Sequence, residues 1–224
     1  SPMIQAWKAP HLVKGFLTRV PLWNAWLNRR GSTGGTSSAR YCYAVWLRPL
    51  ILLNRHGFDV RDAVVAELGP GDSIGTGLAA VLSGASRYIG LDLVAFSAKA
   101  DLESMVLELE QMYLSEASVP DHHEFPGVRP RLASYGYPGR LIHSQAVSQT
   151  ARAIMVDVAG GINSGGRVGY IAPWTSVNAV ARNSLDLIFP KAVLQFADGL
   201  EEIYRAMFTW LKPGGYCSHS TGCS

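Results

Sequence analysis

The stretch "VVAELGPGDSIGTGLAAVL", residues 64–82, limits what this chain can fold into more than any other. Two apolar runs flank four glycines set within nine residues, Gly69, Gly71, Gly75 and Gly77. Glycine is costly inside regular structure, so such a cluster marks a sharp turn or a close approach of the backbone to something else. The first run reads as a buried strand and the second as a helix, so the glycines form a strand-to-helix turn. Backbone N–H groups at the head of that helix face whatever docks there.

From residue 62 onward the same alternation repeats, which predicts a mainly parallel sheet. "AVVAEL" is the first strand and "TGLAAVLSG" its helix. "SRYIGLDL" is a second strand, followed by a long helix over 98–114. Residues 118–140, with four prolines, form an ordered excursion, and a helix follows over 144–159. "GRVGYIAP" and "SLDLIF" are the third and fourth strands, "GLEEIYRAMFTWL" an amphipathic helix, and "KPGGY" turns into a fifth strand. The fold class is therefore α/β, a Rossmann-like, doubly wound, mainly parallel sheet preceded by an N-terminal helical extension.

That extension covers residues 1–58 and has its own character. It holds no Asp or Glu, and eight bases: Lys8, Lys14, Arg19, Arg29, Arg30, Arg40, Arg48 and Arg55. Trp7, Trp23, Trp26 and Trp46 lie in it too. Two readings stand. A basic, Trp-bearing amphipathic segment can lie on an anionic membrane as a peripheral contact or grip an acidic substrate. It can equally cover the core and leave its Arg heads in water. Apolar spacing suggests helices over 10–30, broken at Pro21, then a flexible "GSTGGTSS" connector whose serines cap a helix over Ala39–Arg55 that bends near Pro49 and stops at Gly57. "YCYAVWLRPLILL" is too short for a membrane span and carries Arg48. The domains are thus an N-terminal lid, 1–58, and a Rossmann-like domain, 59–224, with an insertion at about 118–166. Ser1-Pro2 ahead of Met3 reads as a cleavage scar. Hydrophobic residues at 48% and charged ones at 17% describe a globular chain. Cys42, Cys217 and Cys223 make no metal spacing and read as reduced thiols of a cytoplasmic protein.

Two acids flank the turn. Glu67 precedes Gly69 by two residues, and a carboxylate there suits an ammonium- or hydroxyl-bearing ligand better than a pyrophosphate. Asp92 ends the second strand, 23 residues after Gly69, where a carboxylate accepts ribose hydroxyls. "ELGPGDSIGTG", "IGLDLV" and "SLDLIFPKAVLQFADGLEEIYRAMFTWLKPGGY" resemble motifs of class I S-adenosylmethionine-dependent methyltransferases, over about residues 63–219. The resemblance implies S-adenosylmethionine as cofactor, with Glu67, Gly69, Pro70 and Gly71 around its methionine portion and Asp92 on its ribose. Leu93 would pack on the adenine, Ala172, Pro173 and Trp174 would border its edge, and Phe189 and Pro190 would line the methyl-transfer site. Asp72 and Ser73 would lie near the cofactor, and Arg40 or Tyr41, on a closing N-terminal helix, would touch its carboxylate, with Tyr43 and Trp46 as core.

The pattern departs from the family in three places. "APWTS" holds no acid for the adenine amine, and Leu194-Gln195-Phe196 stands where relatives often read Leu-Glu-His. The sequence also ends close to the fifth strand, short of the last strands of the seven-stranded fold. That predicts a truncated chain, a degenerate paralogue, or a sheet edge covered by a homodimer partner or the N-terminal helices.

The function implied is methyl transfer to a small-molecule, glycan or lipid-linked acceptor. The alternative is a non-catalytic protein that binds S-adenosylmethionine or S-adenosylhomocysteine. A nicotinamide oxidoreductase is disfavoured by Glu67 and by the lack of a Tyr-x-x-x-Lys pair. A nucleic-acid methyltransferase is disfavoured by the modest basic patch and the absent Pro-Pro-Tyr motif. No catalytic base is assigned. The cluster Asp121, His122, His123 and Glu124 reads as a solvated loop rather than a metal site; His143 reads as polar surface, and His219 as a candidate facing the site.

Overall fold

A computed structural model describes residues 38–92, 101–142, 146–162, 165–174, 176–190 and 200–218. In chain order the elements are α1 (Ala39–Arg55), β1 (Val64–Leu68), α2 (Gly75–Leu82), β2 (Arg87–Leu91), α3 (Leu102–Leu114), α4 (Val147–Ala159), β3 (Val168–Ile171), a short 3₁₀ turn (Val177–Ala179), β4 (Leu185–Pro190), α5 (Leu200–Trp210) and β5 (Leu211–Cys217). Five strands form one sheet in the order β3-β2-β1-β4-β5, and every pairing is parallel. The strand order reverses between β1 and β4, and in such sheets the crevice outside the carboxyl ends at that point is where ligands dock.

Alternation along the strands divides the core in two. Val65, Tyr88, Val168 and Leu187 face α1, α2, α3 and α4. Ala66, Leu68, Ile89, Leu91 and Ile188 face α5, which brings Ile203, Met207 and Trp210 against them. β1 is central and buried on both faces, which explains why "VVAEL" shows almost no polar alternation. α2 is apolar all round, and its eight residues are all buried.

Helix α1 packs into this core. Cys42, Tyr43, Trp46, Leu47 and Leu50 of α1 pack in the same cluster as Val65 and Leu78. Ser38 caps it, its hydroxyl accepting the Tyr41 N–H, and the chain leaves through Gly57 at φ +95°. Residues 1–37, with Trp7, Trp23, Trp26 and the helices expected over 10–30, lie outside the described residues.

Two expected boundaries move. The long helix was expected from residue 98, but α3 starts at Leu102 because Asp101 is its N-cap, with non-helical backbone and its side chain accepting the Ser104 N–H at 3.1 Å. β5 begins at Leu211, before the "KPGG" that was expected to precede it. Between the pairs Leu185–Leu211 and Leu187–Tyr216 the register shifts, so the turn residues form a bulge inside the strand. Among the described residues, no helix is long and apolar enough to cross a membrane.

Candidate functional site

The four glycines of the opening stretch do two different jobs. Gly69 and Gly71 lie at φ +71° and +79°, the left-handed region that a side chain resists, so they make the turn. The Gly69 N–H donates to Leu91 O at 2.9 Å, tying the turn to the end of β2. Gly75 and Gly77 make no turn. A Cβ on Gly75 would sit 2.2 Å from Met105 Sδ and 2.6 Å from Cys42 Sγ, and one on Gly77 would sit 2.3 Å from the Tyr88 ring. These two let α1, α3 and β2 close on α2. The single glycine turn read from sequence is therefore half turn and half packing.

Ser73 heads the helix. It is fully buried, and its hydroxyl accepts the Gly75 N–H at 3.1 Å, while Ile74 at the N-cap offers no side-chain cap. Asp72 is half-buried beside it. Pro70 spans the two turning glycines and lies over Gly90, whose Cβ would come within 3.4 Å of the Pro70 ring.

Glu67 is more deeply set than its sequence position suggested. Its residue is fully buried, and the Tyr88 hydroxyl donates to its Oε2 at 2.6 Å. The resemblance puts this carboxylate around a ligand; in the structure it lies beneath the turn against a tyrosine. Burial, then the adjacent Glu67 charge, raise the Tyr88 pKa well above the ordinary phenol value, which keeps the hydroxyl a donor.

Asp92 is fixed from both sides. Its N–H donates to Ile171 O and its carbonyl accepts the Trp174 N–H, each at 3.0 Å, and 8% of the residue remains exposed. This double tie brings Ala172, Pro173 and Trp174 to the end of β2, as the strand order requires. The Trp174 ring turns to the α5 side, edge-on to Trp210 with centroids 5.4 Å apart. On β4, Phe189 pairs with Glu67 across the sheet and packs against Trp46 at 5.7 Å, while the Pro190 backbone pairs with Leu68. The carboxyl ends of β1, β2 and β4 thus gather the glycine turn, Asp92, residues 172–174 and residues 189–190. Leu93, His143, Gln195, Phe196 and His219 lie outside the described residues.

Tyr41 and Arg40 turn to a different neighbour. The Arg40 guanidinium makes two hydrogen bonds to the Glu124 carboxylate, at 2.5 and 2.8 Å, and the Tyr41 ring meets Phe125 edge-on at 5.3 Å. Both lie against the excursion that follows α3. The His122 and His123 rings lie 4.2 Å apart, tilted by 36°, with His122 Nδ1 3.3 Å from the Tyr135 hydroxyl. Asp121 Oδ1 accepts the N–H groups of His123 and Glu124, and these hold its pKa below the usual carboxylate value. No group of three metal-ligating side chains occurs among the described residues.

Of the two readings of the basic segment, the one that covers the core with its Arg heads in water does not hold at Arg48. The residue is fully buried, with its nitrogens donating to the carbonyls of Pro120, Asp121 and Val128 at 2.6–3.0 Å and to Phe125 O at 3.4 Å. One signal was available, since Arg48 falls four residues after Ala44 on the buried stripe of α1. The partners, more than seventy residues away, gave none.

No protein-family model matches the chain, and no curated protein does. Among solved structures, it is similar to an S-adenosylmethionine-dependent methyltransferase from Mesorhizobium loti (15% identity, TM-score 0.39), covering 83% of this chain and 54% of that one. It is similar also to Haemonchus contortus phosphoethanolamine N-methyltransferase 2 in complex with S-adenosyl-L-methionine (17%, TM-score 0.37; 77% of this chain and 27% of that one). A third is a methyltransferase from Thiobacillus denitrificans in complex with S-adenosyl-L-homocysteine (15%, TM-score 0.36; 76% and 46%). The chain thus spans between about a quarter and about a half of the length of these proteins. Likeness this distant transfers neither residues nor activity.

Proposed function

We propose that the chain binds S-adenosylmethionine across the carboxyl ends of β1 and β2, and takes part in methyl transfer to a small-molecule, glycan or lipid-linked acceptor. One observation carries the reading: Asp92, still 8% exposed, is held at the end of β2 one residue beyond Leu91, the acceptor of the Gly69 N–H. Asp92 and a left-handed glycine turn therefore meet at the carboxyl ends of β1 and β2, next to the β1/β4 point where the strand order reverses.

The residues present fit such a group. The turn is bare of Cβ at Gly69 and Gly71, which allows close approach of a ligand to the backbone, and Asp92 follows the last residue of β2, where a carboxylate would accept ribose hydroxyls. Phe189, backed by Trp46, supplies an apolar wall beside β1. Bound S-adenosylmethionine supplies an electrophilic methyl on a sulfonium, which needs an aligned acceptor and little water. The chain's own contribution is then to orient the cofactor and to exclude solvent. The excursion, clamped to α1 through Arg48 and Arg40, is the proposed wall toward the acceptor. The basic segment ahead of α1 is proposed to contact an anionic membrane surface, and a second copy to cover the sheet edge.

Calorimetric titration with S-adenosylmethionine and, separately, NADH tests the reading. Binding of the first alone, lost in Asp92→Ala at unchanged melting temperature, is the expected result. Wild-type protein indifferent to S-adenosylmethionine would sink it.

A further inference from the structure

Tyr88 touches both ends of the glycine turn. Its Cα pairs with Val65 low on β1, yet its hydroxyl reaches Glu67 near that strand's end, at 2.6 Å. The ring lies against α2 where Gly77 lacks a Cβ, at 2.3 Å from the position that Cβ would take. A Cβ on Gly90 would stand 3.1 Å from the same hydroxyl and 3.4 Å from Pro70 in the turn itself. Glu67 is the second residue before Gly69, and Gly77 is the third residue of α2, so one side chain spans the strand and the helix that the turn joins.

We propose that Tyr88 is a positioning residue of the cofactor site, a strut that sets the spacing between the end of β1 and the first turn of α2 and so shapes the Gly69–Gly71 turn. The inference rests on the proposed S-adenosylmethionine site for its functional meaning. The strut itself rests on the contacts alone. A phenylalanine would keep the ring against Gly77 and lose only the tie to Glu67. Gln at 67 would keep an oxygen to accept the hydroxyl, and so keep the strut without the charge.

The test compares two buried tyrosine hydroxyls that both reach the core around α2. Tyr113 donates to Ala79 O at 2.8 Å, away from the turn, so Tyr113→Phe is the structural control. Hydrogen exchange over residues 69–77 is read without ligand, and S-adenosylmethionine affinity is read separately by calorimetry. Tyr88→Phe is expected to speed exchange across 69–77 and to weaken binding, each by roughly tenfold, the scale of a lost hydrogen bond to a charged group. Tyr113→Phe is expected to leave both within about twofold, and Glu67→Gln to retain the slow exchange. Should Tyr88→Phe fail to fold, Gly90→Ala, which presses on the hydroxyl, must loosen the same amides. Wild-type exchange over 69–77 in Tyr88→Phe, or equal loosening in Tyr113→Phe, overturns the strut. Loosening in a protein that never binds S-adenosylmethionine keeps the strut and removes the cofactor reading instead.

Discussion

Two nitrogens of Arg48, Nε at 3.0 Å and Nη2 at 2.7 Å, donate to the single carbonyl oxygen of Pro120. The guanidinium is the meeting point of α1 and an excursion with little regular structure of its own, whose carbonyls would otherwise be buried without donors. Burial lowers the Arg48 pKa, and Tyr135 and Asp121 oppose that shift. Arg48→Lys offers one nitrogen in place of a fork and cannot reach all four carbonyls. A loss of about 2–4 kcal/mol is expected, read from the urea midpoint at unchanged slope, with early proteolysis inside 117–142. A loss below about 0.5 kcal/mol would mean that water replaces the clamp.

Gly77 and Gly127 make a matched pair of substitutions. Alanine at 77 would drive a methyl group into the Tyr88 ring, whereas alanine at 127 would meet nothing within 4 Å. Gly77→Ala is expected to cost about 3 kcal/mol through overpacking, and Gly127→Ala about 0.5 kcal/mol or less. Thermal melts of the two proteins side by side decide the matter.

Buried tyrosines contribute to the alkaline limb of stability, Tyr43, Tyr88 and Tyr113 among them. Burial, the first cause in each case, raises the pKa values of Tyr43, Tyr88 and Tyr113 above the ordinary value of 10.0. A folded pKa above the unfolded one means that the neutral phenol is favoured in the fold. The stabilisation is fully present below pH 10 and is lost as pH rises toward the folded values. Tyrosinate absorbance of these three groups should therefore appear together with the loss of helical circular dichroism. Ionisation well ahead of unfolding would contradict their burial.

Arg40 and Glu124 form a half-exposed ion pair, with side chains 42% and 37% accessible. Such pairs contribute little, so Arg40→Gln is expected to cost less than about 1 kcal/mol. Because Arg40 is directed to the excursion, the same variant should leave S-adenosylmethionine affinity within about twofold, while Asp92→Asn lowers it by more than about tenfold. A large calorimetric loss in Arg40→Gln would return this arginine to the cofactor, where the sequence resemblance put either it or Tyr41.

The layout of the sheet was legible because buried parallel strands are apolar runs and their helices follow at short intervals. Val64–Leu68 and Leu185–Pro190 lie within a residue of where those runs put them. The end of the second strand was legible to within a residue, at Leu91 where the pattern put Asp92. What stayed hidden depends on contacts distant in sequence. Gly69 and Gly77 look alike in a string, and only their φ angles and the Tyr88 ring separate a turning glycine from a packing one. Glu67 was read by its charge, but its surroundings are set by a residue on the neighbouring strand. The start of α3 was missed because Asp101 was read as interior to a helix when its carboxylate is more valuable at the end.

The edge-on contact between Trp174 and Trp210 gives the protein an optical handle of its own. Trp210 is fully buried and donates its indole N–H to Val177 O at 2.6 Å, while Trp174 hangs by its backbone from Asp92. One ring is thus a fixed reference and the other is tethered to the backbone carbonyl of Asp92. Any occupant that displaces Asp92 must change the coupling of the two indoles, so intrinsic fluorescence should report on this corner of the sheet without an added label.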